Sequence, residues 1–284
     1  MFPCLMLACA LSFALLDDPP AAALATPTAA EVLDRAIAAQ HGEKIGNTIK
    51  DFEVKLRLKR NDEQAKVELD VLRRFKAPDR IWTEVHEAVT ATTYVEGTDG
   101  KVSWHANAKD GVTVYDGPDF RTDVQRVEED RRAMQLLMRF ILLTNLKPTL
   151  TDLKRNDAEE AKALKEYGMR TYVVEGRGTL TDSEIGSATV RLWIDMDDHQ
   201  LMGARLERDS APGHPLHFCF SMHRPNRQGV AIPGRVELYE RDAPKPSQEL
   251  VIEGEDHDGE TVNAMTFNGG IDDAIFLPPE QDEN

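Results

Sequence analysis

Residues 91–117 read ATTYVEGTDGKVSWHANAKDGVTVYDG, three short runs of β-branched and aromatic residues. The runs are separated at Asp99-Gly100 and Asp110-Gly111, and an Asp-Gly pair readily adopts the left-handed backbone of a tight hairpin turn. The pattern predicts an antiparallel meander of three strands. Similar runs occur over residues 52–83 and 169–267, so we expect the meander to lie in the middle of one large sheet.

Upstream of the meander, apolar residues alternate with charged ones, which is typical of half-buried strands. The alternation covers residues 49–60 and 67–71, and its apolar members are Phe52, Val54, Leu56, Leu58, Val67, Leu69 and Val71. It loses phase at residues 72–74, where we expect a β-bulge. Pro78 cannot donate to a ladder and therefore marks a strand entrance or an edge.

Three segments show the three-and-four spacing of amphipathic helices. The first begins at a capping box formed by Thr28 and Glu31, and the third covers residues 156–167. The second, residues 119–146, is the longest, and we expect its stripe from Val124 to Leu142 to cover the open face of the sheet. Later strands are predicted at 169–176, 188–194, 201–208, 216–222, 235–240, 249–254 and 262–267.

Composition favours one folded domain. The chain has 284 residues, of which 41% are hydrophobic and 30% charged, and its net charge is −16. This acidic balance argues against binding to nucleic acid or to an anionic membrane through bulk electrostatics. We expect a single domain over residues 26–284, with a frayed acidic tail at 280–284.

The first 25 residues resemble a secretory signal. Residues 4–16, CLMLACALSFALL, are apolar and uncharged but too few to span ~30 Å of hydrocarbon as a helix. Ala23-Leu24-Ala25 supplies a cleavage pattern, so we expect a mature protein in the periplasm or another extracytoplasmic compartment. The alternative is a lipoprotein signal with an acylated Cys9. In the first interpretation Cys219 is the only remaining thiol, and no intramolecular disulfide can form.

Catalytic and nucleotide-binding motifs are absent from the sequence. It contains no GxGxxG after a strand, no P-loop, no GxSxG elbow and no HExxH helix. We therefore predict a protein that is not an enzyme and needs no cofactor.

Three features have both an ordinary and a functional interpretation. His217 and Cys219 share a strand face near His214 and could bind a soft metal, but no second ligand pair accompanies them. Residues 255–259 lack the spacing of a calcium loop and predict an acidic hairpin turn. The tryptophans at 82, 104 and 193 lie in strand patterns, where core packing is the usual role. We predict no metal site.

Three motifs spread over the chain resemble the superfamily of the periplasmic lipoprotein carrier LolA and its outer-membrane receptor LolB. They are Ala77-Pro78-Asp79-Arg80-Ile81-Trp82, the run GTDGKVSW from Gly97 to Trp104, and Phe276-Leu277-Pro278-Pro279. The resemblance implies a mainly β (α+β) fold, a strongly curved antiparallel sheet that forms an incomplete barrel with helices over its open mouth. The arginine that precedes the motif proline in the carrier is replaced here by Ala77.

The resemblance also implies a hydrophobic cavity that receives acyl chains, and the methionines of the covering helix suit a pliable wall. The cavity residues that we expect are Phe52, Val54, Leu56, Leu58, Leu69, Val71, Met134, Leu137, Met138, Ile141, Phe218 and Phe220.

The resulting function is a monomeric, secreted carrier or receptor for a lipid or the acyl chain of a lipoprotein, with a membrane-associated protein as a possible donor or acceptor. One alternative is a structural or regulatory interaction module on the same fold with a filled cavity. The other is a secreted hydrolase that uses scattered Asp, Glu and His residues.

Overall fold

A computed structural model describes residues 26–41, 44–45, 49–61, 66–87, 90–115, 136–180, 186–240, 243–257 and 259–279. The expected signal (1–25), the tail (280–284), Met134 and the first part of the expected covering helix lie outside these residues.

Most strands belong to one antiparallel sheet. Its members are β1 (Asp51–Asn61), β2 (Lys66–Lys76), β3 (Arg80–Glu87), β4 (Thr92–Thr98), β5 (Ser103–Asn107), β6 (Gly111–Tyr115), β7 (Leu150–Arg155), β8 (Thr171–Leu180), β9 (Gly186–Asp195), β10 (Leu201–Arg208), β11 (Leu216–Ser221), β14 (Arg235–Glu240), β15 (Gln248–Ile252) and β18 (Met265–Phe267). Two small ribbons pair β12 (Arg224–Pro225) with β13 (Ala231–Ile232) and β16 (Gly254–His257) with β17 (Glu260–Asn263).

The sheet remains open. Its strand order is β6-β5-β4-β3-β2-β1-β15-β14-β11-β10-β9-β8-β7, and β18 pairs with β1 beside β15. Within the described residues the end strands β6 and β7 do not pair with each other. This confirms the expected mainly β fold with an incomplete antiparallel barrel.

Few helices accompany the sheet. They are α1 (Ala29–Gln40), α2 (136–141), α3 (Leu143–Leu146) and α4 (Asp157–Tyr167), with 3₁₀ turns at Lys147–Thr149 and Asp273–Phe276. The capping box is confirmed, because the Glu31 amide donates to Thr28 Oγ1 and the Thr28 amide donates to the Glu31 carboxylate. No helix in the described part of the chain is long and apolar enough to cross a membrane.

The Asp-Gly meander forms as predicted, but its position in the sheet differs from the expectation. Strands β4, β5 and β6 occupy one end of the sheet and not its middle, and β6 is an edge strand. Strand β1 lies in the middle of the sheet and pairs with β2 on one side and with β15 and β18 on the other. Turn signals specify hairpins but carry no information on which strands flank the finished meander.

The expected bulge at residues 72–74 is wrong, because β1, β2 and β3 pair through that region without a register shift. Shifts occur instead between Thr151 and Lys154 and between Leu201 and Gly203.

Three other expectations need correction. The strand expected at 216–222 ends at Ser221, and Met222 lies past its end with a positive φ of 57° and is exposed. The expected strand at 262–267 is divided between β17 and β18, which belong to different sheets. The expected continuous covering helix is interrupted at Leu142, which separates α2 from α3.

Alternation gives the sheet an inner face, which we define as the face that carries the core. Directly opposed residues of antiparallel strands share a face, so the core residues Val54, Leu192 and Phe218 place their whole cross-strand rows on this side. Helices α1, α2 and α3 add their apolar side chains to the same core. Helix α4 instead packs against β8, where its Ala163 is buried.

Candidate functional site

An unbroken apolar row crosses five strands of the inner face. Phe220 on β11 faces Val236 on β14, which faces Leu250 on β15, and the row continues through Leu58 to Leu69. Because side chains directly opposite one another in a sheet are in contact range, these five form one continuous surface. The row lies across the middle of the sheet.

Aromatic rings fix the cover above this surface. Phe140 of α2 stacks on Phe218 with ring centroids 5.4 Å apart and lies 6.4 Å from Phe220. Phe140 is completely buried. These contacts pack the cover against the strands through aromatic rings.

The buried side chain of Gln40 forms hydrogen bonds to the backbone on both sides of the helix interruption at Leu142. The Gln40 amide nitrogen donates to the Ile141 carbonyl oxygen at 3.1 Å, and its oxygen accepts from the Leu143 amide at 3.1 Å. A helix break leaves backbone groups without intrahelical partners, and burying them unpaired would cost free energy. Gln40 is the last residue of α1, so it ties the first helix to the cover.

A polar row replaces the apolar one toward the meander. In register with Val54 lie Arg73 on β2, Thr83 on β3, Glu96 on β4 and His105 on β5. Arg73 Nε donates to Thr83 Oγ1 at 3.2 Å. Thr83 and Glu96 are buried. The inner face therefore carries one polar row from β2 to β5, which on β3 lies between the buried apolar residues Ile81 and Val85.

Eleven of the twelve expected cavity residues belong to one apolar cluster. Most are buried, whereas Leu58 and Leu69 are partly buried at its margin. Met134 lies outside the described residues. The shared packing places Phe52, Val54, Leu56, Leu58, Leu69, Val71, Leu137, Met138, Ile141, Phe218 and Phe220 around the same interior.

Sequence reasoning missed Gln40 and the polar row. The sequence did contain a signal for the polar row. Arg73 is two residues from each of the inward-facing Val71 and Phe75, so it lies on the same face of β2. Gln40 falls on the buried stripe of α1, but no local pattern names its partner, which is far away in the sequence.

The two candidate metal-binding residues lie on the opposite, outer face. Cys219 Sγ is 4.0 Å from His217 Nε2, and burial raises the pKa of the Cys219 thiol to about 11, which disfavours the thiolate that metals bind. Among the described residues, no group of three or more His, Cys, Asp or Glu side chains is arranged to hold a metal ion. Residues 254–263 form the expected acidic hairpin, β16 and β17.

The tryptophans differ in environment. Trp104 is buried on the outer face of β5, where its Nε1 donates to the Phe276 carbonyl at 2.9 Å. Trp82 is half-buried beneath the guanidinium of Arg74, 4.7 Å from the ring centroid. Trp193 is half-buried, with its ring 5.4 Å from that of His217.

The open antiparallel sheet with helices packed on its inner face defines an incomplete-barrel architecture. Similar solved structures include a protein of the DUF1329 family from Desulfovibrio piger, with 12% identity over 89% of this chain and 98% of that one, at a TM-score of 0.46. A LolA superfamily protein from Nitrosomonas europaea has 14% identity over 89% and 98% of the two chains, at 0.45.

A third solved structure, described as an outer membrane lipoprotein-sorting protein domain from Vibrio parahaemolyticus, has 11% identity over 87% of this chain and 97% of that one, at a TM-score of 0.45. No family model and no curated protein matches the chain. At these identities and TM-scores the similarities carry no functional argument.

Proposed function

We propose that the inner face shelters an acyl chain and that the protein is a carrier or receptor for a lipid or lipoprotein. The observation that carries this proposal is the amphipathic inner face. The apolar row from Phe220 to Leu69 suits a hydrocarbon chain. The polar row from Arg73 to His105, which Val71 separates from it on β2, would meet a polar head. An interior with apolar residues alone would not orient an amphiphilic ligand.

The cover provides a way in for a ligand. Phe140 meets the strands through ring contacts, while the Gln40 bonds hold the far end of α2 at Ile141. Displacing Phe140 would expose apolar surface, and an inserted acyl chain would bury that surface again. Met138, on the same helix, is unbranched and adapts readily to a guest.

Location and partners follow from the same proposal. The signal-like residues 1–25 favour export, and the remaining chain would be a monomer in an extracytoplasmic compartment. A sheltered acyl chain has to come from a membrane and return to one, so we propose a membrane-associated donor or acceptor protein.

The proposal is tested by native mass spectrometry of protein purified from cells, followed by solvent extraction and lipid analysis. A fluorescent fatty acid then measures affinity for wild type and for Met138→Asp. We expect the charge of Met138→Asp to weaken fatty-acid binding by more than tenfold, because a lid residue contacts the guest. The melting temperature should fall less than it would for a charge placed in a filled core. Leu164→Asp is the matched control, since Leu164 is exposed on α4 and should leave binding unchanged.

A second candidate is an extracytoplasmic interaction module whose interior is filled by its own side chains. It is favoured by the near-complete burial of residues 140–143. In that case Met138→Asp would lower the melting temperature strongly, and the wild type would bind no fatty acid and release no lipid on extraction.

A further inference from the structure

The acidic side chain of Glu160 helps to fix helix α4 over the outer face of the sheet. Glu160 accepts a hydrogen bond from the Val173 amide of β8 at 3.0 Å and from Arg155 Nε at 3.0 Å. Glu160 is buried, so these bonds are shielded from water. They hold α4 at the side of β8 and leave a groove of about 630 Å³ between α4 and the outer faces of β9, β10 and β11.

The floor of the groove is made by a glycine beside two rings. Gly203 lies opposite Trp193 on one side and Cys219 on the other, and a methyl group at Gly203 would come within 3.7 Å of His217 Nε2. The rings of Trp193 and His217 are 5.4 Å apart and tilted by 37°. The missing side chain therefore leaves an open aromatic platform.

The β10 bulge contributes to the same groove. Two residues of β10 oppose one residue of β9 between Leu201 and Gly203, which makes Met202 the additional residue. Met202 lines the groove. Bulges redirect side chains in this way and are common beside binding sites.

More basic than acidic side chains line the groove, although the whole chain has a net charge of −16. Three basic residues, Lys162, Arg191 and Arg205, line it, against one acidic residue, Glu159. Arg191 is paired with Glu175 at 2.9 Å and Arg205 with Glu207 at 3.2 Å, so carboxylates balance both guanidinium charges. A guanidinium has five donors, so an ion pair does not by itself exclude a hydrogen bond to a ligand. Lys162 is exposed on α4.

We propose that this groove binds a flat organic anion, an aromatic ring system that carries a carboxylate or sulfonate. The ring would lie on the Trp193 and His217 platform, and the anionic group would meet Arg205 and Lys162. The volume is in the range of small-molecule sites, and Lys162 disfavours a cationic guest.

The groove is separate from the inner face. Cys219 is at its floor, whereas the neighbouring Phe218 points to the core on the other side of the same strand. Occupation of the groove can therefore be measured at the Cys219 sulfur independently of any acyl ligand.

The test uses naphthalene-2-sulfonate as the probe and the uncharged 2-naphthol as its matched analogue. Alkylation of Cys219 by iodoacetamide at pH 9 is followed by mass spectrometry of the peptide that contains it. We expect saturating naphthalene-2-sulfonate to slow the reaction at least fivefold. Calorimetry should give naphthalene-2-sulfonate an affinity about tenfold above that of 2-naphthol, because only the sulfonate is attracted by the basic side chains of the groove.

Paired variants on α4 test the charge. Lys162→Glu should lower the affinity for naphthalene-2-sulfonate about fivefold or more. Lys165→Glu, the same change outside the groove lining, should alter this affinity less than twofold. Trp193→Leu should reduce the affinity at least tenfold. The proposal is overturned if saturating probe leaves Cys219 alkylation unchanged, if 2-naphthol binds as tightly, or if both lysine variants behave alike. A fatty acid that slows alkylation equally would assign the effect to the inner face and would also overturn it.

Discussion

The side-chain nitrogen of Gln40 donates a 3.1 Å hydrogen bond to the carbonyl oxygen of Ile141, although the two residues belong to different helices. The same side chain accepts from the Leu143 amide, so a single amide satisfies both sides of the interruption at Leu142. The first helix of the domain thereby determines where the cover bends. Neither backbone group has an equivalent partner within its own helix.

Replacing Gln40 with methionine should destabilise the fold by about 1–3 kcal/mol, because the Ile141 oxygen and the Leu143 amide would become buried and unpaired. Urea denaturation measures the loss. Arg35→Met, an exposed change on the same helix, should stay within about 0.5 kcal/mol. Equal stabilities for the two variants would show that water replaces the amide.

Trp104→Phe should cost about 1–3 kcal/mol, since it removes the Nε1 donor from the buried Phe276 carbonyl. It should also expose the C-terminal segment, which limited proteolysis would detect as earlier cleavage after residue 270. Trp82→Phe is the control. The Trp82 ring is half-buried and lies under Arg74, so its loss should cost less than about 1 kcal/mol and leave cleavage unchanged.

Glu175 should contribute stability that depends on acid. Hydrogen bonds from Lys154, then Arg191 and Asn156, lower the pKa of its carboxyl from 4.5 to about 2. A pKa lowered by folding gives stability that is complete above the unfolded value and is lost as the pH falls through the folded value. The contribution should therefore be present at pH 6 and disappear between about pH 5 and pH 2.

Glu175→Gln should be less stable than wild type by up to about 3 kcal/mol at pH 7, and the two should converge near pH 2. Denaturation at a series of pH values measures both limits. Glu166→Gln on the exposed side of α4 is the control and should follow the wild-type curve. A constant difference from pH 7 to pH 2 would exclude the ion cluster as its source.

Cys219 should react slowly with alkylating reagents. Burial, together with the nearby Glu237 carboxylate, raises the pKa of its thiol to about 11, so the thiolate fraction and the alkylation rate should rise about tenfold per pH unit from 7 to 10. A rate that levels off below pH 9 would contradict this. Cys219→Ser should change stability by no more than about 1–2 kcal/mol.

Local patterns predicted most elements but not their partners. The Asp-Gly turns and the alternation from Phe52 to Leu58 encode hairpins and faces directly. The inward Arg73 resembled a loss of phase, yet it remains in register because Thr83 and the polar residues beyond it accommodate a charged side chain. The Gln40 contact and the bulge at Met202 depend on tertiary packing, which no short window of sequence contains.

The pairing of β1 also constrains how the chain can fold. Leu56 pairs with Ile252 and Phe52 with Phe267, so the only ladders that join the two halves of the described sheet connect residues from near the two ends of the domain. During synthesis, β1 to β6 can assemble early from neighbouring hairpins, but one edge of β1 stays unpaired until the C-terminal strands emerge. Such long-range closure is slow, and the exposed edge of a central strand is a template for aggregation. The chain is therefore most exposed to aggregation in the interval before β15 and β18 have been synthesised.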